Sequence, residues 1–201
     1  GNVLNAYSGA SQGGSGVRMS GGTLANCLVA RNRIPAGKGT NGAGIYLSGG
    51  SVLNCTIVHN GCADNEVGSG VYLTAGGMTN SILYFNGLNS PAVTNQNIRM
   101  TGGLVSYCDT DPAVGGVSNL NADPRFMSTN LFNYRLHRLS PCINAGTNQD
   151  WMVGATDLEG LPRVLNGVVD MGCYEQDCVS LMVNADPSEH GQPAQFGYGT
   201  N

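Results

Sequence analysis

The charged residues near the C-terminal end form the densest group of side chains that could do acid–base chemistry. Asp157, Arg163, Asp170 and Glu175 follow one another in a chain that is otherwise poor in charge. Paired carboxylates beside an arginine can move protons to and from a substrate, as in glycoside hydrolysis. The same residue types form Arg–carboxylate networks that pin segments of chain together. We favour a structural cap network, and the acid–base role is the alternative.

Arginine and tyrosine recur at similar intervals earlier in the chain, at Arg18, Tyr46, Tyr72 and Arg99. An aromatic ring offers a flat apolar face to a sugar ring, and an arginine fork matches a carboxylate or a sulfate. If the four residues were stacked on one outward face, they could contact an anionic glycan chain. In the other interpretation they only stack on each other and stabilise an exposed sheet through cation–π contacts.

Few other charged residues lie in the same part of the chain. Asp109 and Asp111 share strand parity, so both are expected to face outward, as solvated carboxylates or as ligands of Ca²⁺. Asp64 and Glu66 fall in a turn. Lys38, the only lysine, falls in a glycine-rich loop that would hold a catalytic base poorly. Ca²⁺ is therefore the one cofactor considered, and no catalytic residue is assigned.

The seven cysteines do not have the spacing of a zinc site. Three of them recur at regular intervals, and we expect them to be buried free thiols rather than strained disulfides. These three are Cys27, Cys55 and Cys108. Three others in the C-terminal part could supply one disulfide: Cys142, Cys173 and Cys178.

The regular spacing of these residues follows from an internal repeat. Similar segments begin at Gly16, Gly44 and Gly70, and a degenerate copy begins at Asn97. The copies are 26–28 residues apart, and a fixed period in this range is typical of a solenoid, a propeller or an array. Each copy is followed by a second unit that ends in an asparagine, and His59 beside one of these is interpreted as a solvated turn residue. The asparagines are Asn32, Asn60 and Asn86.

Within each repeat, short stretches of alternating apolar and polar residues are separated by Gly or Asn, and none is as long as a helix. A propeller blade needs about 40 residues, which is more than one repeat supplies. The sequence therefore predicts an all-β fold, a single-stranded right-handed parallel β-helix with one coil per repeat and about 4.8 Å between coils. Two inward columns would form the core, and three asparagines would form a hydrogen-bonded ladder at a bend. The columns are Val17, Ile45, Val71 and Ile98, and Met19, Leu47, Leu73 and Met100; the ladder is Asn26, Asn54 and Asn80.

Two pairs of motifs follow the point where the repeat ends. The first pair is NADPRF at 121–126 with SPCINAG at 140–146, and the second is ATDLEGLPR at 155–163 with VDMGCYE at 169–175. Together they resemble the C-terminal end of bacterial pectin-lyase-like β-helix proteins of the choice-of-anchor Q domain type. The resemblance covers roughly residues 14 to 176 and implies the β-helix fold and export to the cell surface or beyond, without implying one reaction. Cys173 stands where the family pattern has alanine.

The predicted organisation has three parts. Residues 1–112 form β-helix coils, residues 113–176 form a terminal coil and C-terminal cap, and residues 177–201 form a linker and the truncated start of an Ig-like β module. The cap is expected to cover the open core and strand edges at the end of the stack. Since the first residues already read as part of a repeat, we expect further domains of the same chain upstream and downstream. The apolar cap residues are Phe126, Phe132, Tyr134, Leu136, Ile143 and Trp151.

Composition limits the class of partner. The 201 residues carry a formal net charge of −4 with only 11% charged residues, so no basic stripe is present to bind nucleic acid. No apolar run is long enough for membrane insertion. We expect a non-catalytic segment of a secreted or cell-surface bacterial protein, a stalk or adhesin-like surface that contacts polysaccharide. The alternatives are a polysaccharide lyase or glycoside hydrolase, and a purely structural unit of a surface layer or filament.

Overall fold

The structure is a computed structural model that describes residues 14–36, 41–63, 68–87 and 96–177. These residues form short strands and one single-turn 3-10 helix at Asp150–Met152. The strands are β1 (Val17–Met19), β2 (Thr23–Ala25), β3 (Leu28–Ala30), β4 (Arg33–Ile34), β5 (Ile45–Leu53), β6 (Thr56–Val58), β7 (Gly61–Cys62), β8 (Val71–Thr79), β9 (Ile82–Tyr84), β10 (Ile98–Met100), β11 (Leu104–Ser106), β12 (Asp109–Thr110), β13 (Phe126–Ser128) and β14 (Asn133–Leu136).

Strands of successive repeats lie side by side and run parallel. The first sheet has the order β1-β5-β8-β10, with β2 and β11 pairing beside it, and the second has the order β3-β6-β9-β12. β4 and β7 form a third parallel sheet, and β13 pairs with β14 as an antiparallel hairpin. In the first sheet Ile45 pairs with Val17 on one side and with Val71 on the other. Ile98 extends this column on the next strand. The chain is therefore all-β with parallel sheets, and the predicted register is confirmed.

Both predicted inward columns lie in the core. Ile45, Leu47, Val71 and Leu73 in the middle of the stack are fully buried. They all point inward because successive side chains of a strand point to opposite faces. Full burial of such a side chain stabilises the fold by about 1.5–3 kcal/mol.

A continuous asparagine ladder lies inside one bend of the stack. Each side-chain amide donates to the side-chain oxygen of the next asparagine at 2.9–3.0 Å, in the order Asn32, Asn60, Asn86 and Asn97. The same oxygen also accepts the backbone N–H of the preceding asparagine. The ladder therefore satisfies backbone groups at a buried bend, where unpaired ones would be costly.

A short segment closes the end of the stack after β12. The backbone N–H of Tyr107 donates to Val117 O, and the N–H of Leu120 donates to Cys108 O, both at 2.8 Å. The side-chain amide of Asn119 donates to Val105 O at 3.0 Å. This segment therefore covers the last strands of the parallel sheets, in the place predicted for a terminal coil.

Most of the remaining C-terminal part covers a flank of the stack rather than its end, which corrects the predicted cap. Its apolar side chains form a second cluster with Ile82 of β9 on the outer face of the second sheet. As a result β6 is buried on both faces, and all of Thr56–Val58 is buried. Strands covered on both faces are apolar throughout, as this one nearly is. Phe132, predicted to cover the core, is 53% exposed.

The three thiols predicted to be buried and free are all free, but only Cys55 and Cys108 are buried, whereas Cys27 is half-buried. Cys27, Cys55 and Cys108 form no disulfide, and the column that they share is continued by Ser81. Cys142 and Cys173 are also free thiols, so the predicted bridge is not formed between these two. Several further predictions concern residues outside the described ranges. They are the Ig-like module beyond Asp177, and Lys38, Asp64, Glu66 and Cys178.

None of the helices in the described ranges has the length and apolarity needed to cross a membrane.

Candidate functional site

Arg18, Tyr46, Tyr72 and Arg99 lie in one column across four neighbouring strands. The register pairs Tyr46 with Arg18 and with Tyr72. Arg99 pairs with Tyr72 on the other side. Because adjacent strands lie about 4.8 Å apart, the column spans about 14 Å from the first coil to the fourth. Arg18 is exposed and the other three are half-buried, so the column stands on the outer face of the first sheet.

The side chains of this column touch one another. The guanidinium carbon of Arg18 lies 4.6 Å from the centre of the Tyr46 ring, and that of Arg99 lies 5.2 Å from the Tyr72 ring. The two rings meet edge to face with their centres 5.4 Å apart. Cation–π contacts of this kind contribute about 0.5–1 kcal/mol each at exposed sites. The column is therefore ordered by its own contacts, and its half-buried rings retain surface for a ligand.

Glycines shape the bend beside the column. Gly14, Gly42 and Gly68 stack through backbone hydrogen bonds of 2.8 Å. A Cβ atom on Gly14 would lie 3.1 Å from Tyr46 Cβ, and one on Gly68 would lie 2.6 Å from Arg99 Cβ. All three glycines have positive φ, which other residues rarely adopt. At these three glycines the bend thus passes close to the base of the column without adding a side chain over the rings.

Neither arginine of the column forms an ion pair with a carboxylate in the ranges that the structure describes. Among the described residues, the ion pairs are Arg135–Glu159 and Arg163–Glu175. Arg99 instead donates to the side-chain oxygen of Asn41 at 3.3 Å. Among the described residues, the outer face therefore carries two guanidinium groups without ion-pair partners, one on either side of the two rings. Such an arrangement can hold carboxylate or sulfate groups on a chain of sugars.

Asp109 and Asp111 do not form the outward pair that strand parity suggested. Asp109 is fully buried, and its carboxylate accepts the Ala122 backbone N–H at 3.1 Å and the Cys142 thiol at 3.2 Å. This burial raises the pKa of the Asp109 carboxyl to about 6. Asp111 is exposed. In the described ranges, no three metal-ligating side chains come together.

The four charged residues near the C-terminal end do come together, in a buried network. Arg163 is fully buried and forms an ion pair with Glu175. Its guanidinium group also donates to Asn26 Oδ1 at 3.0 Å and to the backbone oxygen of Asp170 at 3.2 Å. Glu175 in turn accepts the Asp170 backbone N–H at 3.0 Å. Arg163 therefore ties the segment around Asp170 and Glu175 to Asn26 of the first repeat.

The carboxylates of this network are occupied by backbone donors. Asp170 accepts the N–H groups of Asn144 and Gln176, both at 2.7 Å. Asp157 accepts three N–H groups at 2.8–2.9 Å, from Glu159, Leu161 and Glu175. Burial raises the pKa of Asp170, and it raises that of Glu175 to about 7. This geometry favours the structural interpretation of the network over acid–base catalysis.

The three asparagines of the predicted ladder attach this C-terminal segment to the stack. Each side-chain amide donates to a backbone carbonyl at 2.8–3.2 Å: Asn26 to Thr156, Asn54 to Asp170 and Asn80 to Thr147. Only one bond, from Asn80 to Asn54 at 3.3 Å, joins two members of the set. The expectation of a mutually bonded ladder is therefore corrected, because the amides bind a segment distant in sequence.

Sequence reasoning missed a second outward column, at the turn before each inner asparagine. Arg31, His59 and Phe85 occupy this position, all with φ of 53–61°. His59 is not a solvated turn residue, because its ring lies 5.8 Å from the rings of both Phe85 and Tyr134. Burial, with a smaller contribution from Arg31, lowers the pKa of His59. The signal was present in the sequence, since the three residues stand directly before Asn32, Asn60 and Asn86.

Comparisons of the chain with protein-family models, with curated proteins and with solved structures gave no match.

Proposed function

We propose that the column Arg18–Tyr46–Tyr72–Arg99 binds an acidic polysaccharide without cleaving it. The chain would do so as part of a secreted or cell-surface bacterial protein. The proposal rests on one observation: across four neighbouring strands, two rings lie between two guanidinium groups that have no ion-pair partner in the described part of the chain. Because adjacent strands lie about 4.8 Å apart, an extended polymer can contact several side chains of the column at once.

The scaffold of this surface is a single-stranded right-handed parallel β-helix. Its support is the parallel pairing of equivalent residues from successive repeats, in three separate sheets, together with the inner asparagine ladder. The right hand follows from the general preference of crossover connections between parallel strands. The resemblance of the C-terminal motifs to choice-of-anchor Q domain proteins supports an exported bacterial protein.

The non-catalytic role is supported by what the carboxylates contact. Asp157 and Asp170 accept backbone N–H groups, and Glu175 is paired with a fully buried arginine. A general acid or base must reach a proton on the substrate, whereas these groups are at most 6% exposed. Their contacts fit a role in holding the C-terminal segment in place.

The test is to incubate the chain with a panel of neutral and acidic polysaccharides and to measure both retention and the length of the recovered glycan. We expect acidic polysaccharides to be retained without shortening, and retention to weaken as salt screens the arginines. The double variant Tyr46→Ala/Tyr72→Ala should lose most of the retention. Tyr174→Ala serves as the control, because this half-buried tyrosine also lies near an arginine, on the C-terminal segment.

Each outcome of this experiment separates the candidate functions. Shortened chains would contradict the non-catalytic role and would point to the lyase or hydrolase alternative. Retention that survives in the double variant would place binding elsewhere on the molecule. Failure to retain any glycan would leave the structural unit of a surface layer or filament as the function to test.

A further inference from the structure

A pocket of about 490 Å³ lies between the turn after β3 and the β13–β14 hairpin. The side of the pocket formed by the parallel repeats is lined by Arg31, Arg33 and His59. The volume is within the range of about 300–1,000 Å³ that small-molecule sites occupy. The pocket is separate from the Arg18–Tyr46–Tyr72–Arg99 column, because the column stands on the first sheet. Arg31 and His59 instead follow strands of the second sheet, and Arg33 lies on β4.

Glycines lie next to Arg33 on the neighbouring strands. Arg33 pairs with Gly61 on the adjacent strand. Gly87 on the next coil donates its N–H to Asn60 O and lines the pocket. Gly61 is buried, and the Gln96 side chain packs against Gly87, so neither glycine places a side chain of its own beside Arg33. Arg33 itself is exposed, so its guanidinium group can turn toward a ligand.

The hairpin forms the opposite wall and orients one arginine. The guanidinium carbon of Arg31 lies 3.8 Å from the centre of the Phe132 ring. The hairpin turn is closed by a hydrogen bond from the Phe132 N–H to Thr129 O at 3.2 Å. Because the ring occupies a face of the guanidinium group, the N–H groups in its plane remain for an oxyanion. Thr129 and Asn130 add polar groups to the same wall.

The charge of the pocket is positive. In the part of the chain that the structure describes, neither Arg31 nor Arg33 forms an ion pair. Burial and the charge of Arg31 lower the pKa of His59, so its ring is neutral at physiological pH. The buried Nε2 of His59 has no hydrogen-bond partner. Two arginines that form no ion pair among the described residues therefore border this space, with His59 beside them.

We propose that this pocket binds a sugar-sized anion whose carboxylate or sulfate group is held by Arg31 and Arg33. Thr129 and Asn130 contact the uncharged part of the ligand. The pocket is a second binding site, and it does not depend on the function proposed for the Arg18–Tyr46–Tyr72–Arg99 column.

The test is calorimetric titration of the full chain with glucuronic acid, glucose 6-sulfate, glucose and inorganic sulfate. We expect both acidic sugars to bind at least tenfold more tightly than inorganic sulfate, and glucose not to bind measurably. Arg31→Gln/Arg33→Gln should abolish binding, whereas Arg138→Gln, a change at an exposed arginine of the C-terminal part, should not affect it. The Tyr46→Ala/Tyr72→Ala variant should bind the small ligands normally.

A second readout keeps the test independent of how the double arginine variant folds. In the unsubstituted chain, glucuronic acid should shift the ring resonances of His59 and leave those of His137 unchanged. Binding that survives in the folded arginine variant, binding of glucose as tight as that of glucuronic acid, or inorganic sulfate binding as tightly as the acidic sugars would each overturn the proposal. An unchanged His59 signal at saturation would also overturn it.

Discussion

At the scale of single residues, Asp109 links the end of the stack to the C-terminal segment through its contacts with Ala122 and Cys142. Burial raises the pKa of this carboxyl from 3.8 to about 6, so the folded chain holds the proton over a pH range in which the unfolded chain has lost it. The stability that the protonated carboxyl contributes is complete below about pH 4 and is lost as the pH rises through about 6.

We therefore predict that Asp109→Asn flattens the pH dependence of stability. Between pH 4 and pH 7, the free energy of unfolding should fall by on the order of 2–3 kcal/mol less in this variant than in the unsubstituted chain. Urea unfolding at a series of pH values measures the difference, with the exposed Asp111→Asn as the control. Equal slopes for the two variants would contradict the buried, protonated state of Asp109.

Arg163 gives a second prediction at this scale, because its ion pair is buried whereas that of Arg135 is at the surface. Arg163 and its partner Glu175 have fully buried side chains, whereas Arg135 pairs with Glu159 at the surface. Removing one partner of a buried pair leaves an uncompensated charge, so Arg163→Ala should cost about 3–5 kcal/mol. Arg135→Ala should change stability little. Similar unfolding midpoints for the two variants would mean that the network does not hold the C-terminal segment.

Whether the sequence could predict the environment of a single residue depended on which other part of the chain covers that residue. The positions of Arg18, Tyr46, Tyr72 and Arg99 could be predicted, because the repeat alone sets the register of their strands. The burial of Asp109 could not, because Cys142, far along the chain, supplies the cover on its outer face. Local parity tells which face a side chain points to, but not whether that face meets solvent.

At the scale of elements, the close approach of successive repeats depends on the glycines that precede the strands of the first sheet, Gly16, Gly44 and Gly70. A Cβ atom on Gly44 would contact the carbonyl oxygen of Gly70 and lie 2.9 Å from Asn60 Nδ2. By contrast, a Cβ on Gly21 would meet nothing within 4 Å. The two positions form a matched pair for the same substitution.

We predict that Gly44→Ala destabilises the chain by about 2–3 kcal/mol, because the extra methyl group must push two coils apart. Gly21→Ala should be neutral or stabilising by up to about 1 kcal/mol, through the lower entropy of the unfolded chain. Thermal or urea unfolding of both variants measures this. Loss of stability of equal size at both positions would contradict the coil spacing described here.

The strands of the repeat could be predicted from the sequence, but the position of the C-terminal part could not, because only the strands follow a repeated local pattern. The parallel strands and their register follow from a short-range pattern that recurs every 26–28 residues. The C-terminal part has no repeat to fix its position, so its apolar residues predicted a cover without telling which surface they cover. In the structure they pack on the flank around Ile82 instead of on the end.

At the scale of the whole molecule, the amides of Asn26, Asn54 and Asn80 fasten the C-terminal segment across three coils. All three residues have φ near 50°. Replacing them with glycine therefore removes the amide while it keeps the backbone conformation. This choice separates the loss of attachment from backbone strain.

We predict that Asn54→Gly/Asn80→Gly speeds amide hydrogen exchange in residues 144–173 more than in β5 and β8. Local opening of a segment needs less free energy than global unfolding once its attachments are removed. Asn166→Gly is the control, because Asn166 has φ of 58° and is exposed. Equally faster exchange in β5 and β8 would mean that segment and stack unfold as one unit.

The most direct test of the central claim is to measure the affinity of the chain for acidic oligosaccharides of increasing length. If the column Arg18–Tyr46–Tyr72–Arg99 binds a glycan along the stack, affinity should rise with each added sugar until the ligand spans the four coils, about 14 Å, and should then level off. The rise should be absent in Tyr46→Ala/Tyr72→Ala. An affinity that does not depend on length, or a rise that persists in the double variant, would contradict the account.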